Sequence, residues 1–126
     1  EQKGASMRLG AHNIIVEKNT IAHRLYGGEE IRERHRHRWE VNPDYKDTLE
    51  KHGLIFSGKS PDKKRMEILE LQDKYFFFAS QFHGEFKSRP GRPDPEYQGF
   101  VKACLDKKLG RPETPVLEAQ LLSLGS

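Results

Sequence analysis

The tightest constraint on this chain is an aromatic run that stops on an ionisable pair: Phe76, Phe77, Phe78 and Phe82 lead straight into His83-Gly84-Glu85. A run so rich in aromatics, bounded by polar segments, predicts a buried strand over residues 76–82. Such a strand would deliver His83 and Glu85 to its C-terminal edge, where open α/β sheets keep their chemistry. A carboxylate two residues after a histidine can fix the imidazole tautomer and stabilise the imidazolium, so the pair suits a base and its orienter. It lacks a nucleophile.

Upstream, charge alternates from Ile31 to Val41. A strand there places Arg34, Arg36 and Arg38 on one face and His35, His37 and Trp39 on the other. The β-branched stretch Asn13-Ile14-Ile15-Val16 predicts a strand, followed by a brief helix capped by Thr20, carrying Ile21 and Leu25 and ended by Gly27-Gly28. Asn42-Pro43-Asp44 is a helix start and Gly53 its left-handed stop, with Tyr45, Leu49 and His52 on the inner face. Residues 54–56 and 66–71 read as strands joined through a turn-rich 58–62. The prolines of residues 88–95 forbid regular structure until Asp94-Pro95 opens a last helix. Its Tyr97, Phe100, Val101, Cys104 and Leu105 form an apolar stripe expected to pack on the sheet, and Gly110 closes it. Residues 111–126 hold only a weak amphipathic cluster and read as a tail.

The length of 126 residues allows one small domain or part of one. A net charge of +3 with 33% charged residues permits anionic ligands without demanding nucleic acid. No apolar stretch is long enough to span a bilayer and residues 1–6 lack the apolar core of a signal peptide, so the expected setting is cytoplasmic, without a membrane partner. The one cysteine, Cys104, excludes an intrachain disulfide. Two histidines at i and i+2, His35 and His37, invite a metal hypothesis. A cupin-like pattern needs a glutamate four or five positions after the second histidine, but Glu40 stands at plus three. A metal-dependent hydrolase barrel needs about 250 residues. No metal is therefore expected.

The segment Glu33-Arg34-His35-Arg36-His37-Arg38-Trp39-Glu40-Val41-Asn42-Pro43 is far more specific than a three-residue motif. Together with Met7-Arg8-Leu9-Gly10, Arg65-Met66-Glu67-Ile68-Leu69-Glu70-Leu71 and Gln81-Phe82-His83-Gly84-Glu85-Phe86, it resembles the C-terminal part of the CTP synthase family, over about residues 7–108. The likeness is to the second half of that family's class I glutamine amidotransferase (glutaminase) domain. It implies an α/β fold, part of a doubly wound, flavodoxin-like domain, over residues 1–110, with 111–126 as the tail.

In that family a cysteine thiolate attacks the side-chain amide of glutamine, a histidine moves the proton and a glutamate orients the histidine. A glutamyl thioester and ammonia result. By resemblance, His83 and Glu85 take the last two roles, Arg38 contacts the glutamine substrate, and Arg36 is a candidate contact for a guanine-nucleotide activator. The nucleophile and oxyanion loop of the family precede the matched segment. Cys104, between Ala103 and Leu105 on an apolar helix stripe, reads as a buried small hydrophobe rather than as that nucleophile. The chain alone is therefore expected to be inactive.

The complete enzyme, on the same resemblance, is a homotetramer that sends the ammonia to a synthase domain, where ATP and Mg activate UTP for amination to CTP. No cofactor is expected in this chain itself. Its partners would be glutamine, the N-terminal half of the glutaminase domain and the synthase domain. The family carries proline between the histidine and glutamate; Gly84 here implies a looser arm. Two other readings stay open. One is a noncatalytic regulatory remnant binding a nucleotide or partner through the basic strand. The other is a nucleic-acid module using Arg34, Arg36, Arg38 and Trp39, against which stand the modest charge and the lack of a recognised motif.

Overall fold

The computed structural model describes residues 7–111. Its elements run β1 (Arg8–Val16), α1 (Ile21–Tyr26), β2 (Glu30–His37), α2 (Lys46–Lys51), β3 (Ile55–Lys59), β4 (Met66–Glu70), β5 (Phe78–Ser80) and α3 (Pro95–Lys108), with 3-10 turns at Pro43–Tyr45 and Gly84–Phe86. The strands form one sheet in the order β2-β1-β3-β4-β5. Every pairing among the described residues is antiparallel. Helices and strands mix as an α/β chain should, but the C-terminal-edge rule belongs to parallel strands and does not account for where His83 sits.

Local chemistry explains the starts and stops. Thr20 Oγ1 accepts the His23 amide at the head of α1, and Gly27, at φ 70°, ends it in the left-handed conformation. A second device completes the start of that helix: the fully buried Glu70 carboxylate accepts the Ile21 and Ala22 amides at 2.8 and 3.1 Å. Asn42 caps the turn before α2 by accepting the Asp44 amide at 3.0 Å, and Asp94 with Pro95 opens α3. The core gathers Ile14, Val16, Ala22, Ile68 and Phe82, with Tyr26, Ile31 and Phe78 packed on it.

Four expectations change. The aromatic run is not a buried strand: β5 has three residues on the sheet edge, Phe77 is exposed, and only Phe82 enters the core. Phe76 instead packs on Phe100 of α3, ring centroids 6.1 Å apart. The second strand stops at His37, leaving Arg38 and Trp39 beyond it, with Trp39 79% exposed. Tyr45 and His52 lie outward rather than on an inner face.

The fourth change concerns α3, which packs through Gly99 rather than through its apolar stripe. A Cβ at 99 would collide with the side chain of Leu25 on α1, so absence of a side chain is what lets the two helices approach. That close approach turns Phe100, Val101, Cys104 and Leu105 outward. Cys104 is thus exposed, not a buried hydrophobe. No helix among the described residues is long and apolar enough to cross a membrane. The tail expected over 111–126 lies, Arg111 apart, outside the described residues.

Candidate active site

β2 and β5 are the two edges of the sheet, yet the chain leaving β5 meets β2. The His83 amide donates to the Arg34 carbonyl at 2.9 Å, so the curled sheet is fastened across its own opening at the residue of interest. Two further bonds secure that closure. Lys87 donates to the Arg32 carbonyl at 2.8 Å and to Glu33 Oε1 at 2.6 Å. The Glu33 side chain is 1% exposed, and burial raises its pKa above the ordinary glutamate value, with Lys87 opposing that rise.

The 3-10 turn Gly84–Phe86 then folds Glu85 back on its neighbour. His83 Nδ1 lies 2.6 Å from Glu85 Oε1. The hydrogen bond to His83 is the largest of the causes that hold the Glu85 pKa below the ordinary value, so the carboxylate is ionised and accepts the Nδ1 proton. That tautomer leaves Nε2 as the basic nitrogen. Tyr97, in the first turn of α3, donates its hydroxyl to Glu85 Oε2 at 3.3 Å, occupying the second carboxylate oxygen. Burial, then the nearby carboxylates Glu96 and Glu85, raise the Tyr97 pKa and keep the phenol a donor. Both His83 and Glu85 side chains remain open to solvent, 36% and 55% exposed, so a reactant can reach them. The His83 ring packs on the Phe86 ring with centroids 5.6 Å apart, and the guanidinium of Arg34 lies 5.9 Å from the Phe86 ring.

The structure thus brings His83 and Glu85 together and adds Arg34. Arg36 is exposed and pairs with Leu9 in the β1–β2 ladder. Arg38, also exposed, lies just past the end of β2, four residues and roughly 13 Å beyond Arg34 at about 3.3 Å per extended residue. Cys104 lies two turns of α3 past Tyr97, roughly 10 Å along the axis.

Gly84 is buried and does not take a left-handed φ. A side chain at this position would meet Asp94 and Glu96. Beneath the arm, Tyr26 donates to Asp94 Oδ1 at 2.8 Å and Ser80 to Glu96 Oε2 at 2.9 Å. None of Glu33, Lys87, Glu96 or Tyr97 was a site residue on sequence grounds. Glu33 and Lys87 are 54 positions apart, and no local pattern marks them.

His35 and His37 gain a carboxylate the chain spacing did not offer, Glu67 of β4; one ligand atom from each of the three falls within 4.8 Å of the others. His35 Nδ1 is 2.9 Å from His37 Nε2 and 3.7 Å from Glu67 Oε2. Burial, and next the Arg8 charge, push the His35 pKa down to about 3, so the ring is neutral. Arg8 is hydrogen-bonded to Glu67 and also faces Glu40 at 3.7 Å. A guanidinium therefore already answers the buried Glu67 charge.

Known proteins resemble this chain. A family model described as glutamine amidotransferase class-I matches residues 1–103. The CTP synthase of Pyrococcus horikoshii is 57% identical over 109 residues, covering 86% of this chain and 20% of that protein. That of Thermococcus gammatolerans is 55% identical over 111 residues, covering 87% and 21%. The Trypanosoma brucei CTPS glutaminase domain, solved with bound acivicin, superposes with a TM-score of 0.78 at 36% identity, over 91% of this chain and 44% of that one. The chain spans about a fifth of the length of the curated relatives it matches.

Proposed function

The chain belongs to the class I glutamine amidotransferases, and on that premise we propose that it forms the part of a CTP synthase glutaminase that carries the proton-transfer pair. The observation that carries this reading is the 2.6 Å contact between His83 Nδ1 and Glu85 Oε1, with Nε2 left free beside solvent. A thiolate supplied from outside these 126 residues attacks the amide carbon of glutamine. His83, protonated on taking up the thiol proton, returns a proton through Nε2 to the departing nitrogen, which leaves as ammonia. The carbon–sulfur bond formed in the attack is retained as the carbon–nitrogen bond breaks, leaving a glutamyl thioester. His83 next takes a proton from water as that water attacks the thioester carbon; the carbon–sulfur bond breaks, glutamate is freed, and His83 gives the proton to the departing sulfur. Glu85 holds the tautomer throughout and stabilises the imidazolium.

Arg38 binds the glutamine carboxylate by a charge-assisted contact, and Arg36 is the candidate for an anionic nucleotide activator. Ammonia passes to a synthase domain of the complete, tetrameric protein, where ATP and Mg serve the amination of UTP to CTP. These 126 residues alone release no ammonia from glutamine. In the full-length protein, His83→Ala should abolish glutamine-dependent CTP formation while leaving formation from added ammonium intact. Equal loss of both activities, or loss of neither, would overturn the assignment.

A further inference from the structure

We propose that Glu96 is a positioning residue for the His83–Glu85 pair, its carboxylate filling the space beside Gly84 that a side chain at position 84 would occupy, so that the two residues act as one steric unit. A Cβ built on Gly84 would overlap Glu96 Oε1 and lie 3.1 Å from both Glu96 Cδ and Asp94 Cγ. Gly84 has no left-handed φ to justify a glycine, so what it provides is room.

A glutamate tip would ordinarily swing aside, but this one is boxed. Its other oxygen accepts from Ser80 at the end of β5. The opposite wall, Asp94, is 3% exposed and is itself held by the Tyr26 hydroxyl and by its own amide bonding Ser88 Oγ at 2.8 Å. The first turn of α3 therefore touches the arm twice, at Gly84 through Glu96 and at Glu85 through Tyr97. Between those contacts lies the backbone that sets the direction of the Glu85 side chain, and with it the ring angle of His83. Burial, foremost, raises the Glu96 pKa, in keeping with a carboxyl wedged between protein groups.

The functional consequence rests on the glutaminase reading; the steric coupling does not. The test compares Gly84→Ala, Glu96→Ala and the double variant in the full-length protein, reading glutaminase kcat and KM together with thermal unfolding. Gly84→Ala should lower kcat about tenfold with KM little changed, because a displaced base costs chemistry before binding. Glu96→Ala alone should lower it about threefold, and the double variant should recover to within about threefold of wild type instead of the roughly thirtyfold loss that independent effects would give. A double variant at or below that product overturns the proposal. So does recovery of KM alone. If the wild-type protein has no glutaminase activity, the glutaminase reading falls, and the coupling is then decided by unfolding: the double variant regains the midpoint lost by Gly84→Ala, or the proposal fails as well.

Discussion

Removing Lys87 tests whether the fastening of the two sheet edges sets the stability of the catalytic arm. Lys87→Met keeps most of the aliphatic stem and deletes the ammonium that bonds Glu33 Oε1 and the Arg32 carbonyl. The Glu33 side chain is 1% exposed, so its carboxylate loses its cation without gaining water. Stranding a buried charge costs about 3–5 kcal/mol when both partners are buried. Lys87 is 43% exposed, which screens the pair, so the working figure is about 2 kcal/mol. That corresponds to a roughly thirtyfold rise in the opening equilibrium of the arm.

The sign with pH follows from Glu33. Its folded pKa is raised, so its contribution to stability is present in full below the ordinary value and is lost as pH rises through the raised one. Lys87 holds that value down, and its removal enlarges the loss at the alkaline end. Hydrogen exchange of the full-length protein, read at the His83 amide and its neighbours through residue 88, should show the thirtyfold loss of protection at pH 8 and a much smaller one as pH falls toward the Glu33 value. Less than a threefold change at pH 8, or one of equal size at both ends, would refute the reasoning.

Tyr97→Phe removes one long hydrogen bond to Glu85 and should cost about 0.5–1 kcal/mol of transition-state stabilisation, two- to fivefold in glutaminase kcat, with KM unchanged. Steady-state kinetics would show it. Gly99→Ala should separate α1 from α3 and destabilise by about 1–3 kcal/mol, and adding Leu25→Ala should recover part of the loss in the unfolding midpoint. The Glu85 carboxyl should titrate below its ordinary 4.5 by carbon NMR. The clamp it forms with His83 is complete above that ordinary value and is lost as pH falls through the lower folded one.

Much of this was written locally. Thr20, Asn42-Pro43 and Asp94-Pro95 announced the starts of helices, and Gly27, Gly53 and Gly110 take the left-handed conformation their positions suggested. Alternation from Ile31 gave β2 its two faces, with Glu33 and His35 buried and Arg34 and Arg36 outside. His83 and Glu85 meet because they are two residues apart on one turn. These are short-range effects, settled within a few residues by caps, φ preferences and side-chain period, and a sequence states them outright. Tertiary structure decided the rest. Four phenylalanines suggested a buried strand, but burial is granted by the neighbours that close over a side chain; just past the edge strand Phe82 is buried, while Phe78 packs on the core only in part. The stripe on α3 faces solvent because Gly99 met Leu25 first. Glu33 with Lys87 and Glu67 with His35 come from separate elements, joined when the sheet curls until its edges touch, and Glu96 reaches Gly84 only through the packing of α3. Residue types alone carry no record of that closure, since its free energy lies in contacts between segments that the chain order keeps apart.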